Sequence, residues 1–191
     1  MGNFYVNHTL RGPSQQAVGE ALLGRSAVVT PMRDGCVVVF DEQSDDQDPD
    51  AISRLGERLS RQFDCPVLAV LNHDDDILWY QLYVGGELID EYNSCPDYFE
   101  ADESFDGDEP GGPSGGDAEK LCRAFGAGNV AAVEKVLRSS GDDSYVFAVE
   151  RHQDLVQALG IPSFGVGAGY RNIMNGESPD GLAAKDLLKV T

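Results

Sequence analysis

Residues Ile77–Val84 read Ile-Leu-Trp-Tyr-Gln-Leu-Tyr-Val and are apolar on both alternating sets. Successive strand side chains point to opposite faces, so Ile77, Trp79 and Tyr83 share one face and Leu78, Tyr80, Leu82 and Val84 the other. A strand of this kind has no side to offer to water. It suits a central strand covered on both faces, or one whose second face is covered by the later part of the chain.

Turn signals around this strand fix how its neighbours run. Asp34-Gly35 and Gly85-Gly86 each sit between apolar runs and read as hairpin turns, and Asp74-Asp75-Asp76 reverses the chain just before residue 77. Strands are therefore predicted at residues 4–10, 26–31, 36–40, 66–71, 77–84 and 87–92. A helix starts at Pro13-Ser14 with Ser14 as N-cap, and Ala17, Val18, Ala21 and Leu22 lie on one face. A second opens at Asp48-Pro49, with Asp48 as cap and Pro49 at the first helical position; Ile52, Leu55, Leu59 and Phe63 form its apolar stripe. The order is β-α-β-β-α-β-β-β, an α+β class with a mainly antiparallel sheet and packed helices. Helix, strand, turn, strand occurs twice, a faint internal echo.

The rest of the chain differs in kind. Six acids lie between Glu100 and Glu109, and Pro110-Gly111-Gly112-Pro113-Ser114-Gly115-Gly116 reads as a linker or mobile loop. Helices are predicted at 117–125, 129–137 and 150–159, a strand at 145–149, and a terminal helix at 182–190. The implied division is a sheet region over 1–98, an acidic Gly/Pro-rich loop over 99–116, and a smaller, mostly helical part over 117–191 packed on the first.

Charge is unevenly placed. No lysine or arginine occurs between Arg61 and Lys120, a stretch of 58 residues holding 16 acids. Residues 1–110 carry 23 acids and 6 bases; residues 111–191 carry 10 and 8. Salt adaptation would make the surface acidic everywhere, so the acidity is local. The net charge of −19 argues against nucleic acid or anionic membrane as partner and favours a basic protein. No run approaches 18 apolar residues and the first residues lack a signal-peptide pattern, so a soluble cytoplasmic protein is expected. Cys36, Cys65, Cys95 and Cys122 are widely spaced, which suits reduced thiols rather than a disulfide or zinc framework.

Few motifs carry chemistry. Gly165-Val166-Gly167-Ala168-Gly169-Tyr170 misses the dinucleotide fingerprint at Tyr170, and turns or close packing explain its glycines better. An EF-hand frame from Asp102 puts Pro113 where an acid is required. Cys95 lies in an irregular stretch where His73 or His152 would have to act as base, and no spacing compels that pairing. Arg151-His152 and Tyr170-Arg171 are suited to docking on the acidic first region.

Two functional expectations follow. The first is a non-catalytic binding or regulatory protein, of inhibitor or immunity type, meeting a basic protein through Asp74, Asp75, Asp76, Tyr92, Tyr98, Glu100 and Asp102. It involves no cofactor and no catalytic residue. The alternative is a hydrolase that holds a divalent cation with His73, Asp74, Asp76, Asp90 and Asp41.

Overall fold

A computed structural model describes residues 2–99 and 112–191. β1 (Tyr5–Arg11), α1 (Gln15–Ala21), β2 (Ala27–Val29), β3 (Cys36–Asp41), α2 (Pro49–Phe63), β4 (Val67–His73), β5 (Ile77–Val84) and β6 (Glu87–Asn93) follow the expected order. Beyond them come β7 (Ser114–Gly115), α3 (Ala118–Phe125), α4 (Val130–Arg138), α5 (Ala148–Leu159), α6 (Tyr170–Met174) and β8 (Leu188–Val190). The eight strands form one sheet in the order β7-β6-β5-β4-β1-β3-β2-β8, and every pairing is antiparallel. This is an α+β fold with a mostly helical C-terminal part.

The central order β4-β1-β3-β2, built from β-α-β-β-α-β, is the connectivity of the ferredoxin-like motif, two interlocked split β-α-β units. The local chemistry accounts for its helices. Ser14 Oγ accepts from Ala17 N at 3.2 Å and caps α1. Asp48 accepts from Asp50 N and caps α2, which has Pro49 in its first turn and ends on Asp64 in the left-handed region.

The sheet is covered on both faces, as Ile77–Val84 requires. On one face Val18 of α1, Leu22 at its C-cap, and Leu55 and Leu59 of α2 pack with Leu10, Val37, Val39, Val67 and Tyr83. On the other, Leu68, Val70, Leu78, Tyr80, Leu82 and Tyr92 pack against Leu121 and Phe125 of α3, Val133 and Leu137 of α4, and Leu155 and Leu159 of α5. A third cluster joins Val28, Val38 and Phe40 to Phe164, Ala168 and Ile173. Each fully buried Leu, Val or Phe contributes about 1.5–3 kcal/mol, so the second cover is a large share of the folding energy.

Three segments depart from the sequence reading. Residues 188–190 are the edge strand β8 on β2, not the end of a helix. Only the 3-10 turn Ala184–Asp186 precedes them, and Leu188 packs over Gly19 of α1, so tertiary contact overrides helix propensity there. Residues 145–149 are not a strand: Phe147 occupies the N-cap position of α5. Ser114 and Gly115, read as linker, pair with Asn93 and Tyr92 of β6. The close packing expected of the glycine-rich stretch is present, where it clasps β1. Asn7 Nδ2 donates to the carbonyls of Gly165 and Ala168 at 2.8 and 3.3 Å. A Cβ at Gly165 would lie 2.5 Å from Asn7 Oδ1, and one at Gly169 would overlap Asp45 Oδ1.

Candidate functional site

The β4–β5 turn is the focus of the acidic residues. His73 O accepts from Asp76 N at 3.0 Å, and Asp74 and Asp75 have φ of 52° and 61°, so the turn is type I′. Aspartate tolerates that conformation because its carboxylate bonds nearby backbone. Asp74 Oδ1 accepts from Gly2 N at 2.9 Å, while Asp75 accepts from Asn3 N, Asn3 Nδ2 and Asn72 Nδ2. These two carboxylates thus hold the start of the chain onto the turn. Asp76 is exposed and accepts from Tyr98 OH at 3.0 Å.

Aromatic groups surround this turn. The His73 ring lies 5.0 Å from Phe4 and 6.1 Å from Tyr98, both edge-on. On the opposite side, Ala148 N donates to Asp75 O at 2.6 Å, which brings Val146 and Phe147 alongside. Phe4, Val146 and Phe147 are 49%, 76% and 50% exposed, so large apolar side chains near this turn face water.

The other expected site residues lie elsewhere. Asp41 ends β3, two strands from β4, roughly 10 Å away at normal strand spacing. It forms a two-pronged ion pair with Arg25 at 2.9 and 2.8 Å and accepts from Ser44 N and Oγ. Burial pushes its pKa up, but the hydrogen bonds and charge of Arg25, with Ser44, outweigh that and hold it below the ordinary value. Asp90 stands opposite Leu82, six residues along β5 from Asp76, roughly 20 Å at strand rise. There it accepts from Tyr80 OH at 2.7 Å and Asp117 N at 2.9 Å. His73 Nδ1 is 2.6 Å from Gln47 Oε1. Among the described residues no three His, Cys, Asp or Glu side chains are grouped to hold a metal ion.

Tyr92, expected at a partner surface, is instead fully buried. Its OH donates to Leu137 O and receives Arg151 Nη1 at 2.7 Å. Glu100 and Asp102 lie outside the described residues. The C-terminal basic pairs do contact the first region, but only Tyr170-Arg171 meets acids there; Arg151 and His152 meet the hydroxyls of Tyr92 and Tyr5. Buried Arg151 donates to the carbonyls of Val136 and Ser139 at the C-terminal end of α4, where a cation is favoured. Arg171 Nη2 pairs with Asp46, and Asp45 accepts from Tyr170 N and Arg171 N. Burial is the largest influence on Asp45 and raises its pKa despite those bonds.

Two clefts flank the turn on opposite faces of the sheet. One, of ≈ 550 Å³, is lined by Asp76, Ser94, Cys95, Asp142, Tyr145 and Arg151 among others. Burial pushes the Cys95 thiol up, away from a reactive thiolate, and His152 Nδ1 is engaged by Tyr5 OH at 2.9 Å. The other, of ≈ 730 Å³, lies at the start of α2. Leu71, Ile77, Trp79 and Pro49 supply its apolar surface, Gln47, Ser53 and Gln81 its neutral polar groups, and Asp46, Asp50 and Glu91 its carboxylates. Among the described residues no lysine or arginine lines it.

Sequence reasoning missed Phe4, Val146, Phe147 and most of this second cleft. One signal was available: residue 147 precedes an amphipathic helix at a position that normally holds Ser, Thr, Asp or Asn. The cleft had none, because α2, β5 and β6 meet there only in three dimensions. No protein family, curated protein or solved structure matches the chain.

Proposed function

We propose that this is a non-catalytic binding protein that meets a basic protein through the end of the sheet around the β4–β5 turn. The observation that supports it is the conjunction of exposed Phe4, Val146 and Phe147 with Asp76 and the exposed Asp142 and Asp143, in a chain with no lysine or arginine from residue 62 to 119. Opposite charge speeds encounter, and the apolar side chains supply contact energy. Asp74 and Asp75 act from behind by shaping the turn; Asp76 and Tyr98 face outward with the aromatics.

The test is stopped-flow association with a labelled amphipathic peptide rich in arginine and lysine, over a range of ionic strength. The expected association rate falls steeply with salt, and Asp76→Asn and Phe147→Ser each weaken binding. Binding that ignores salt, or that both variants leave unchanged, removes the basis of this reading.

A further inference from the structure

The ≈ 730 Å³ cleft at the start of α2 has a particular chemistry. Its apolar part is formed by Leu71, Ile77 and half-buried Trp79, a surface on which an aliphatic chain can lie. At one side stands Glu91, whose orientation is set from below. Trp79 Nε1 and Gln81 Nε2 both donate to Glu91 Oε1, at 3.0 and 3.1 Å. Gln81 is in turn held through its Oε1 by Ser53 Oγ at 2.8 Å and Tyr83 OH at 2.6 Å. Among the described residues no donor reaches Glu91 Oε2. The carboxylate is therefore fixed by one oxygen and offers the other. Asp50 adds a second negative charge to the lining, while the charge of Asp46 is met by Arg171.

A neutral apolar ligand would desolvate these carboxylates without compensation, and an anion would be repelled. A ligand with an apolar stem and a cationic head satisfies both parts. A planar guanidinium suits it better than an ammonium, since it stacks flat on an indole while an N–H in the same plane reaches the free Glu91 Oε2. We infer that the cleft seats a guanidinium side chain, an arginine of the partner, with its stem on Leu71, Ile77 and Trp79 and its head at Glu91. This rests on the reading of a basic partner and names the residue that anchors it.

Trp79 is the single tryptophan of the chain, so intrinsic fluorescence reports on the cleft directly. The probes are Nα-acetyl-arginine amide and its uncharged analogue Nα-acetyl-citrulline amide, titrated into the full chain. The arginine probe should give a saturable change that the citrulline probe does not. Glu91→Gln should weaken it roughly five- to tenfold, the loss of one partly solvated charge-assisted pair, with an unchanged melting temperature showing that the fold is kept. Asp50→Asn, which leaves the Trp79–Glu91 bond in place, should weaken it to a lesser degree. Equal responses to the two probes, or none, overturn the inference. A calorimetric titration with the arginine-rich peptide separates the two claims. If the peptide binds wild type and Glu91→Gln alike, the cleft assignment falls and the acidic surface stands. If the arginine probe binds and the peptide does not, the partner reading falls and the guanidinium site stands.

Discussion

Replacing Arg25 with Met removes one half of a buried ion pair and keeps much of the side-chain volume. The Asp41 side chain is 1% exposed and that of Arg25 24%, so the carboxylate loses its cation while remaining out of water. Breaking such a pair costs about 3–5 kcal/mol. Water can approach from the side of Arg25, and the two bonds from Ser44 persist, so about 3 kcal/mol is expected. For a chain of this size that lowers the melting temperature by about 6–12 °C. The pH dependence gives the reasoning a second test. In the wild type the pKa of Asp41 is depressed, so its stabilisation is present above the unfolded value of about 3.9 and is lost as pH falls through the folded value. In Arg25→Met burial dominates and raises the folded pKa. The penalty is then present at neutral pH and is relieved as pH falls through that raised value. Melting curves at pH 7 and pH 4 should therefore show the gap between the two proteins narrowing in acid. A loss under about 1 kcal/mol, or a gap that does not change with pH, would refute the ion-pair account of Asp41.

Four further substitutions probe other parts of the argument. Phe147→Ser places a favoured residue at the N-cap of α5 and should raise stability by about 0.5–1 kcal/mol in denaturant titration while weakening the basic peptide; a loss of stability would show that Phe147 is a packing residue. Gly169→Ala forces a methyl against Asp45 Oδ1 and within 3.2 Å of Tyr5 Cα, and should cost about 1–3 kcal/mol, whereas Gly128→Ala meets nothing within 4 Å and should leave the unfolding midpoint almost unmoved. His152 is buried, and burial pushes its pKa down to about 3. The unfolded chain therefore takes up a proton from about pH 6.5 downward that the folded chain refuses. Stability should fall with decreasing pH below 6.5, and His152→Gln should remove up to about 1.4 kcal/mol per pH unit of that slope, read from urea midpoints between pH 6.5 and 5.

Elements set by local chemistry were legible before the fold was known. Ser14 and Asp48 cap the helices they were expected to cap, because a capping side chain bonds backbone only two or three residues away. The tight turns at Asp34-Gly35 and Asp74-Asp75 follow from residues that tolerate positive φ. The site was legible only in outline. The turn acids and Tyr98 do lie together, but Tyr92 points into the core beneath α4, and Asp41 and Asp90 are each taken up by a partner distant in sequence. Nothing local marks those partners: Arg25 is 16 residues from Asp41, and Asp117 is 27 from Asp90.

The sequence by itself determined that the sheet is mainly antiparallel and that residues 77–84 are a central strand, since turn chemistry and strand alternation are short-range properties. It also determined where charge is concentrated. Tertiary structure decided what covers the second face, that residues 188–190 extend the sheet, and that the glycines of residues 165–169 are there to let the chain lie against Tyr5, Asn7 and Asp45. It also decided which acids remain available. A carboxylate becomes a structural or a surface group according to whether a donor from elsewhere in the chain reaches it, and that depends on long-range packing.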